Sequence, residues 1–337
     1  MIKSQEKDLA NLWKSSIIKI GYFCGVFEFI RMLHKRRVII LMYHRFSNKS
    51  EPFKIQQSIF ENQINFFLTK KYNFISLKHY SEALNGKRDN LPNNPIIITI
   101  DDGYRDNYTY AYPVLKKYSI PATIFLATDF ISHKAWLWSN KLEYILKNSR
   151  KKDFDLVLGN KKDHFSVDGF NNWHRTQLAI FNYCAEQRND MKNEIMHELS
   201  RSLSVDVPSQ TVGDFQALTW DQIIEMSHNG IEFGSHTCSH PILSRLTNEQ
   251  VKYEIVHSKN EIEKMIQKQV DLFCYPNGTL ADFTPTTIDI LRSSSYSAAV
   301  TTIPGHNLMK KQIPFLLKRI SISQDGKKDI TVRLIRP

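Results

Sequence analysis

Short apolar runs of five to seven residues recur along the chain: Val38–His44 (VIILMYH), Ile96–Ile100 (IIITI), Ala122–Ala127 (ATIFLA), Ile231–His236 (IEFGSH), Leu272–Pro276 (LFCYP), Ser297–Thr302 (SAAVTT) and Arg319–Ser323 (RISIS). Several are apolar on both faces, as parallel strands sheathed by helices must be. Helical patterns lie between them at Phe60–Tyr72, Tyr108–Tyr118, Trp220–Gly230 and Asn248–Ile266; the third ends in a glycine stop. Alternation of strand and helix predicts an α/β fold. Seven strands are one too few for a regular eight-stranded barrel, so the pattern predicts a barrel-like variant.

One segment breaks the rhythm. From Trp136 to about Val212 no convincing strand appears, while WLWSNKLEYILK and HRTQLAIFNYCAEQ read as helical. This predicts a mostly helical insertion, about 136–212, after the third strand. Such insertions lie over the active face of barrels and shape access to it.

The N-terminal segment, 1–37, has a different character. Trp13, Ile17, Ile20, Cys24, Phe27 and Ile30 share one helical face, interrupted by Lys19, Glu28 and Arg31. The charges make it a poor membrane span. The basic run His34–Arg37 that follows stands where a signal peptide would carry small residues. An amphipathic interfacial helix over residues 13–37 is the expectation, making peripheral contact with the inner face of a membrane; a helix packed on the domain's own surface is the alternative.

Composition adds three bounds. The chain has 337 residues with 42% apolar content, enough for a sizeable core. The net charge of +11 favours anionic partners or a solvated basic surface; no aromatic residue interleaves in the basic runs, and nucleic acid is not expected. Cys24, Cys184, Cys238 and Cys274 are scattered without a CxxC spacing, which points to reduced thiols and a cytoplasmic location.

The chemistry gathers at strand ends. Asp101 and Asp102 follow IIITI, and His236 and His240 (SHTCSH) follow IEFGSH. In barrel enzymes that edge carries the catalytic residues. Two histidines and a carboxylate with an open position form a catalytic metal set, and a neighbouring carboxylate supplies a base. Alone, DDG is usually a turn or helix cap; the two pairs together are far more specific. Ser235 and Thr237 flank the first histidine and are placed to brace it.

With these motifs the chain resembles the polysaccharide deacetylases of carbohydrate esterase family four, the chitooligosaccharide deacetylase homology domain. TIDDGY matches the first motif, SHTCSH the second and FCYPNG (Phe273–Gly278) the third. LMYHRF (Leu41–Phe46) looks like the branch acting in cell-surface polysaccharide synthesis. The resemblance runs from about Val38 to Ser323. It implies a distorted seven-stranded (β/α) barrel spanning 38–337. It implies a divalent metal, zinc by preference, on Asp102, His236 and His240. Asp101 would be the base and the Tyr275 backbone N–H the oxyanion donor. The reaction would be removal of N-acetyl groups from amino sugars of a polysaccharide or lipid-linked glycan. A deformylase-type amidohydrolase and a non-catalytic glycan-binding barrel are the alternatives.

Two departures stand out. Where the family's third motif often has an arginine that orients the base, this chain has Phe273 or Cys274; Arg319, across the barrel, is the candidate replacement. The late Leu-x-His motif that usually supplies the acid is missing from PFLLKRISIS. His44, at the end of the first strand, is the candidate acid, ahead of His306.

Overall fold

The structure, a computed structural model, describes residues 37–88, 90–322 and 324. All seven apolar runs form strands: β1 (Arg37–Tyr43), β2 (Pro95–Ile100), β3 (Ala122–Leu126), β4 (Ile231–Ser235), β5 (Leu272–Cys274), β6 (Ala298–Pro304) and β7 (Leu317–Ser321). Neighbours in sequence pair in parallel, and β7 closes the ring against β1, with Leu41 beside Ile320. Two short strands, Asn73–Phe74 and Asn307–Leu308, fringe the ring at β2 and β1. The result is the barrel-like variant expected from the pattern, and the distorted seven-stranded (β/α) barrel that the resemblance implies.

Strand alternation sorts the side chains. Ile96, Ile98 and Ile100 pack outward with Phe60, Ile64, Ile223 and Met226 of the surrounding helices. Ile97, Phe125, Leu272, Ala298, Val300 and Leu317 meet one another in the barrel interior. Asp101 and Thr99 continue the inward set of Ile97 by the two-residue period. Gly234 makes room inside: a Cβ there would lie 2.5 Å from the Phe125 ring and 2.8 Å from the Leu272 carbonyl oxygen. Helices Trp220–His228 and Asn248–Ile266 each begin with a reciprocal capping box, Thr219 with Gln222 and Thr247 with Gln250.

The insertion corrects one expectation. It has three helices, Trp138–Asn148, Gly169–Ala185 and Asn189–Leu203, but also an antiparallel hairpin, Asp153–Leu158 with Lys161–Ser166. Only alternate residues of its first strand, Phe154 and Leu156, are buried, so it lacks the continuous apolar run that marks the barrel strands. The insertion has a core of its own, in which Trp138, Leu142, Trp173, Ile180, Met196 and Leu199 meet.

The segment expected to meet a membrane lies outside the described residues, apart from Arg37, which opens β1. Among the described residues no helix is long and apolar enough to cross a membrane.

Candidate active site

The C-terminal ends of β1, β2, β4, β5 and β7 converge under a cleft of about 920 Å³ whose walls include His44, Asp101, Asp102, His236 and His240. The chain leaves β2 through Asp102 (φ 76°) and Gly103 (φ 83°), both left-handed. Gly103 donates its N–H back to the Asp101 carbonyl at 3.0 Å. This tight turn aims two adjacent carboxylates differently: Asp101 into the barrel, Asp102 toward the histidines.

The SHTCSH stretch is a loop, with Thr237 and His240 at φ 69° and 55°. Thr237 Oγ1 accepts the His240 N–H at 3.0 Å, and Ser235 Oγ accepts the Thr237 N–H at 3.2 Å, so both residues brace the segment as expected. Glu254, from helix Asn248–Ile266, pins the loop's middle. Its carboxylate accepts the N–H groups of Cys238 and Ser239 at 2.8 and 3.0 Å and the Ser239 hydroxyl at 2.6 Å. Sequence reading missed this anchor, which lies on a helix that only the fold brings to the loop.

The three expected ligands meet. Asp102 Oδ1 lies 3.5 Å from His236 Nε2 and 3.6 Å from His240 Nε2. Donor atoms about 2.1 Å from a tetrahedral ion sit roughly 3.4 Å apart, so the spacing fits an ion at their centre. His236 Nδ1 lies 2.8 Å from the Cys274 carbonyl oxygen, which fixes that nitrogen as donor and leaves the Nε2 lone pair facing inward. Burial lowers the pKa of both imidazoles, His240 to about 4, so both are neutral and able to ligate. These three residues could hold a metal ion. Asp101, His236 and Cys274 also cluster, but the Arg319 guanidinium fills that place.

Arg319 is 1% exposed and grips Asp101 with two bonds of 2.7 Å, Nη1 to Oδ1 and Nη2 to Oδ2. Its Nε donates to the Thr301 carbonyl at 2.8 Å, and Nη2 also reaches Cys274 Sγ at 3.2 Å. Burial alone would raise the Asp101 pKa; Arg319, and more weakly His44, override it and hold the carboxyl far below its usual range. Arg319, the candidate replacement arginine, thus contacts both Asp101 and Cys274, one of the two residues at the corresponding place.

His44 lies exposed at the exit of β1, its Nε2 3.6 Å from Asp101 Oδ2. Its carbonyl accepts the side-chain amide of Asn107 at 2.9 Å. Asn107 begins a π-helical turn, Asn107–Ala111, a device common at functional sites. His306 is elsewhere: it contacts Arg37 at the start of β1, roughly 20 Å from the strand's far end at about 3.3 Å per residue. The Tyr275 backbone N–H corrects another expectation. It donates to the Val300 carbonyl at 3.3 Å, extending the β5–β6 ladder by one residue, and so is not free to hold an oxyanion.

Beside the cleft, Arg45 lies over the Tyr104 ring, 4.7 Å from its centroid, and within 3.6 Å of both Asp106 and Glu143. It also donates to the Asp214 carbonyl at 2.6 Å. One charge shared this widely does not offset the burial of Asp106, whose pKa is pushed up to about 7. A carboxyl whose folded pKa exceeds its unfolded value of about 3.9 stabilises the fold below that value, and the contribution is lost as pH rises through about 7. Thermal melts should show stability falling across that window in the wild type and a flatter profile in Asp106→Asn; parallel profiles would refute the assignment.

The fold and site define a class: a (β/α) barrel hydrolase with a two-histidine, one-carboxylate centre and a separate ion-paired aspartate. The polysaccharide deacetylase profile matches residues 88–166 and 169–299. The chain belongs to the polysaccharide deacetylase family, and its reaction class is hydrolysis of carbon–nitrogen bonds other than peptide bonds. It is 25% identical over 285 residues to YxkH of Bacillus subtilis (strain 168), covering 84% of this chain and 71% of that one. It is 30% identical over 118 residues to the poly-beta-1,6-N-acetyl-D-glucosamine N-deacetylase of Staphylococcus aureus (strain N315), covering 35% of this chain and 39% of that one. The fold is shared with the Streptococcus pyogenes deacetylase PplD in complex with acetate, at TM-score 0.59 and 20% identity, over 89% of this chain and 99% of that one.

Proposed function

We propose that this protein removes N-acetyl groups from amino sugars of a polysaccharide, using a divalent ion, zinc by its donor set, on Asp102, His236 and His240. The observation that carries the reading is the placement of Asp101 and His44 side by side next to the ligand trio. Bound there, a divalent ion supplies Lewis acidity at neutral pH. Asp101, held ionised by Arg319, accepts a proton from the attacking water through Oδ2. His44, exposed to the cleft, delivers a proton to the departing amine nitrogen. Asn107 fixes His44 through its carbonyl, and Arg319 fixes Asp101.

The test is acetate release from β-1,6-linked N-acetylglucosamine oligomers, with and without chelator. Acetate lost on chelation and restored by zinc supports the reading. Release that survives chelation, or formate release from N-formyl oligomers in its place, overturns it. His236→Ala should drop zinc from about one equivalent to near none by elemental analysis, with the barrel still folded. Full zinc retention would remove His236 from the site.

A further inference from the structure

We propose that the aromatic stripe which the insertion presents to the cleft is a remote glycan subsite, holding a pyranose ring at least one unit away from the sugar that reacts. The proposal rests on the N-deacetylase reading above.

The cleft is far larger than an acetamido group needs. Its volume of about 920 Å³ lies near the top of the range of roughly 300–1,000 Å³ for ligand clefts. Helix Gly169–Ala185 contributes to its wall. Phe170, Gln177 and Phe181 line the cleft; their spacing of seven and four puts them on one helical face. From Phe170 to Phe181 that face runs about 16 Å at 1.5 Å per residue, room for more than one sugar. Phe181 stacks on Trp138, centroids 4.7 Å apart.

The barrel contributes a further aromatic to the cleft. Phe53 is 57% exposed and left-handed (φ 61°), a conformation that a bulky side chain adopts at a cost of roughly 1–3 kcal/mol. The next residue is tied down. Lys54 Nζ bonds Glu51 at 2.9 Å and Asp214 at 2.6 Å, and the Lys54 carbonyl accepts the Gln324 amide at 2.6 Å. The ring lies 5.2 Å from His174, on whose ring Phe170 also stacks. Phe53 and Phe170 thus both stand exposed on one cleft.

A polar observation chooses the occupant. Asn140 lines the same cleft and is 2% exposed; its Oδ1 accepts the Tyr104 hydroxyl at 2.7 Å, and its Nδ2 is buried without a protein partner. An unsatisfied buried donor costs about 1–3 kcal/mol. A pyranose offers an apolar C–H face to the rings and a rim of oxygens to Asn140 and Gln177. A lipid chain would leave Asn140 unsatisfied.

The experiment uses the zinc-loaded full chain, wild type against Phe53→Ala/Phe170→Ala. Both side chains are exposed, so the fold is expected to survive; Phe53→Trp/Phe170→Trp is the conservative control. The probes are β-1,6-linked N-acetylglucosamine oligomers of one and five units, and 4-nitrophenyl acetate. The alanine pair should raise KM for the pentamer about tenfold, a stacking contact's worth. kcat, the monomer and the ester should change less than about twofold, and the tryptophan pair should keep the wild-type KM. Equal losses on all three probes, or an unchanged pentamer KM, would overturn the proposal. If the wild type cleaves the ester but releases acetate from no oligomer, the N-deacetylase reading fails by itself. The subsite is then judged by tryptophan fluorescence during pentamer titration: a response that the alanine pair abolishes supports it, and no response refutes it. Binding to phosphatidylglycerol vesicles that the alanine pair abolishes, without a pentamer response, would also refute it.

Discussion

Asp101→Asn is expected to lower kcat for acetate release by roughly 10³-fold, the scale of a lost general base, while zinc stays bound at about one equivalent. The asymmetry follows from the turn. Asp102 leaves the strand left-handed toward the histidines, whereas Asp101 points inward to Arg319 and His44. An amide at position 101 preserves size but cannot accept a proton from water. It also weakens the grip of Arg319, so the variant should melt earlier and must be assayed well below its midpoint. Activity within tenfold of wild type would show that another group takes the proton. Loss of zinc alongside activity would show that the two aspartates share one job.

The second large effect is on stability. Arg319→Ala removes both 2.7 Å bonds to Asp101 and those to Thr301 and Cys274, leaving a carboxylate that is 1% exposed without its cation. Breaking a buried pair from one side costs about 3–5 kcal/mol. At about 2–4 °C per kcal/mol for a domain of this size, the melting point should fall by roughly 10 °C. Arg319→Lys should recover little, because an ammonium cannot make the two-pronged contact. The double variant Arg319→Met/Asp101→Asn should be more stable than Arg319→Ala alone, since it buries no unpaired charge. A single-variant loss under about 1 kcal/mol would mean that water reaches Asp101 and screens it.

These expectations draw on residues of unequal visibility in the sequence. The barrel strands were legible because burial on both faces leaves uninterrupted runs such as IIITI; their ends were less so, and RISIS begins two residues earlier, at Leu317. The hairpin of the insertion carried a signal that went unread. DFDLVL alternates, and Gly159–Asn160 is a two-residue turn, but its partner KKDHFS is too polar to read as a strand. Asp101, Asp102, His236 and His240 announce themselves by local motif. Glu254, Asn107 and Arg45 do not, because each acquires its role from a segment distant in sequence: Glu254 from the histidine loop, Asn107 from the end of β1, Arg45 from Glu143 and Asp214. The Tyr275 N–H failed for a local reason, since the sheet pairing runs one residue further than the strand itself.

The closure of the ring sets a schedule for the newborn chain. The Arg319–Asp101 contact spans 218 residues, and β7 seats between β1 and β6. While the ribosome is still making the last barrel strands, the first three barrel strands and the insertion are already available to fold, yet Asp101 lacks the Arg319 guanidinium. Distant pairings of this kind form late. The Arg319–Asp101 pair therefore forms only when the final barrel strand docks, and a ribosome stalled before Leu317 would carry a chain whose Asp101 still lacks its guanidinium partner.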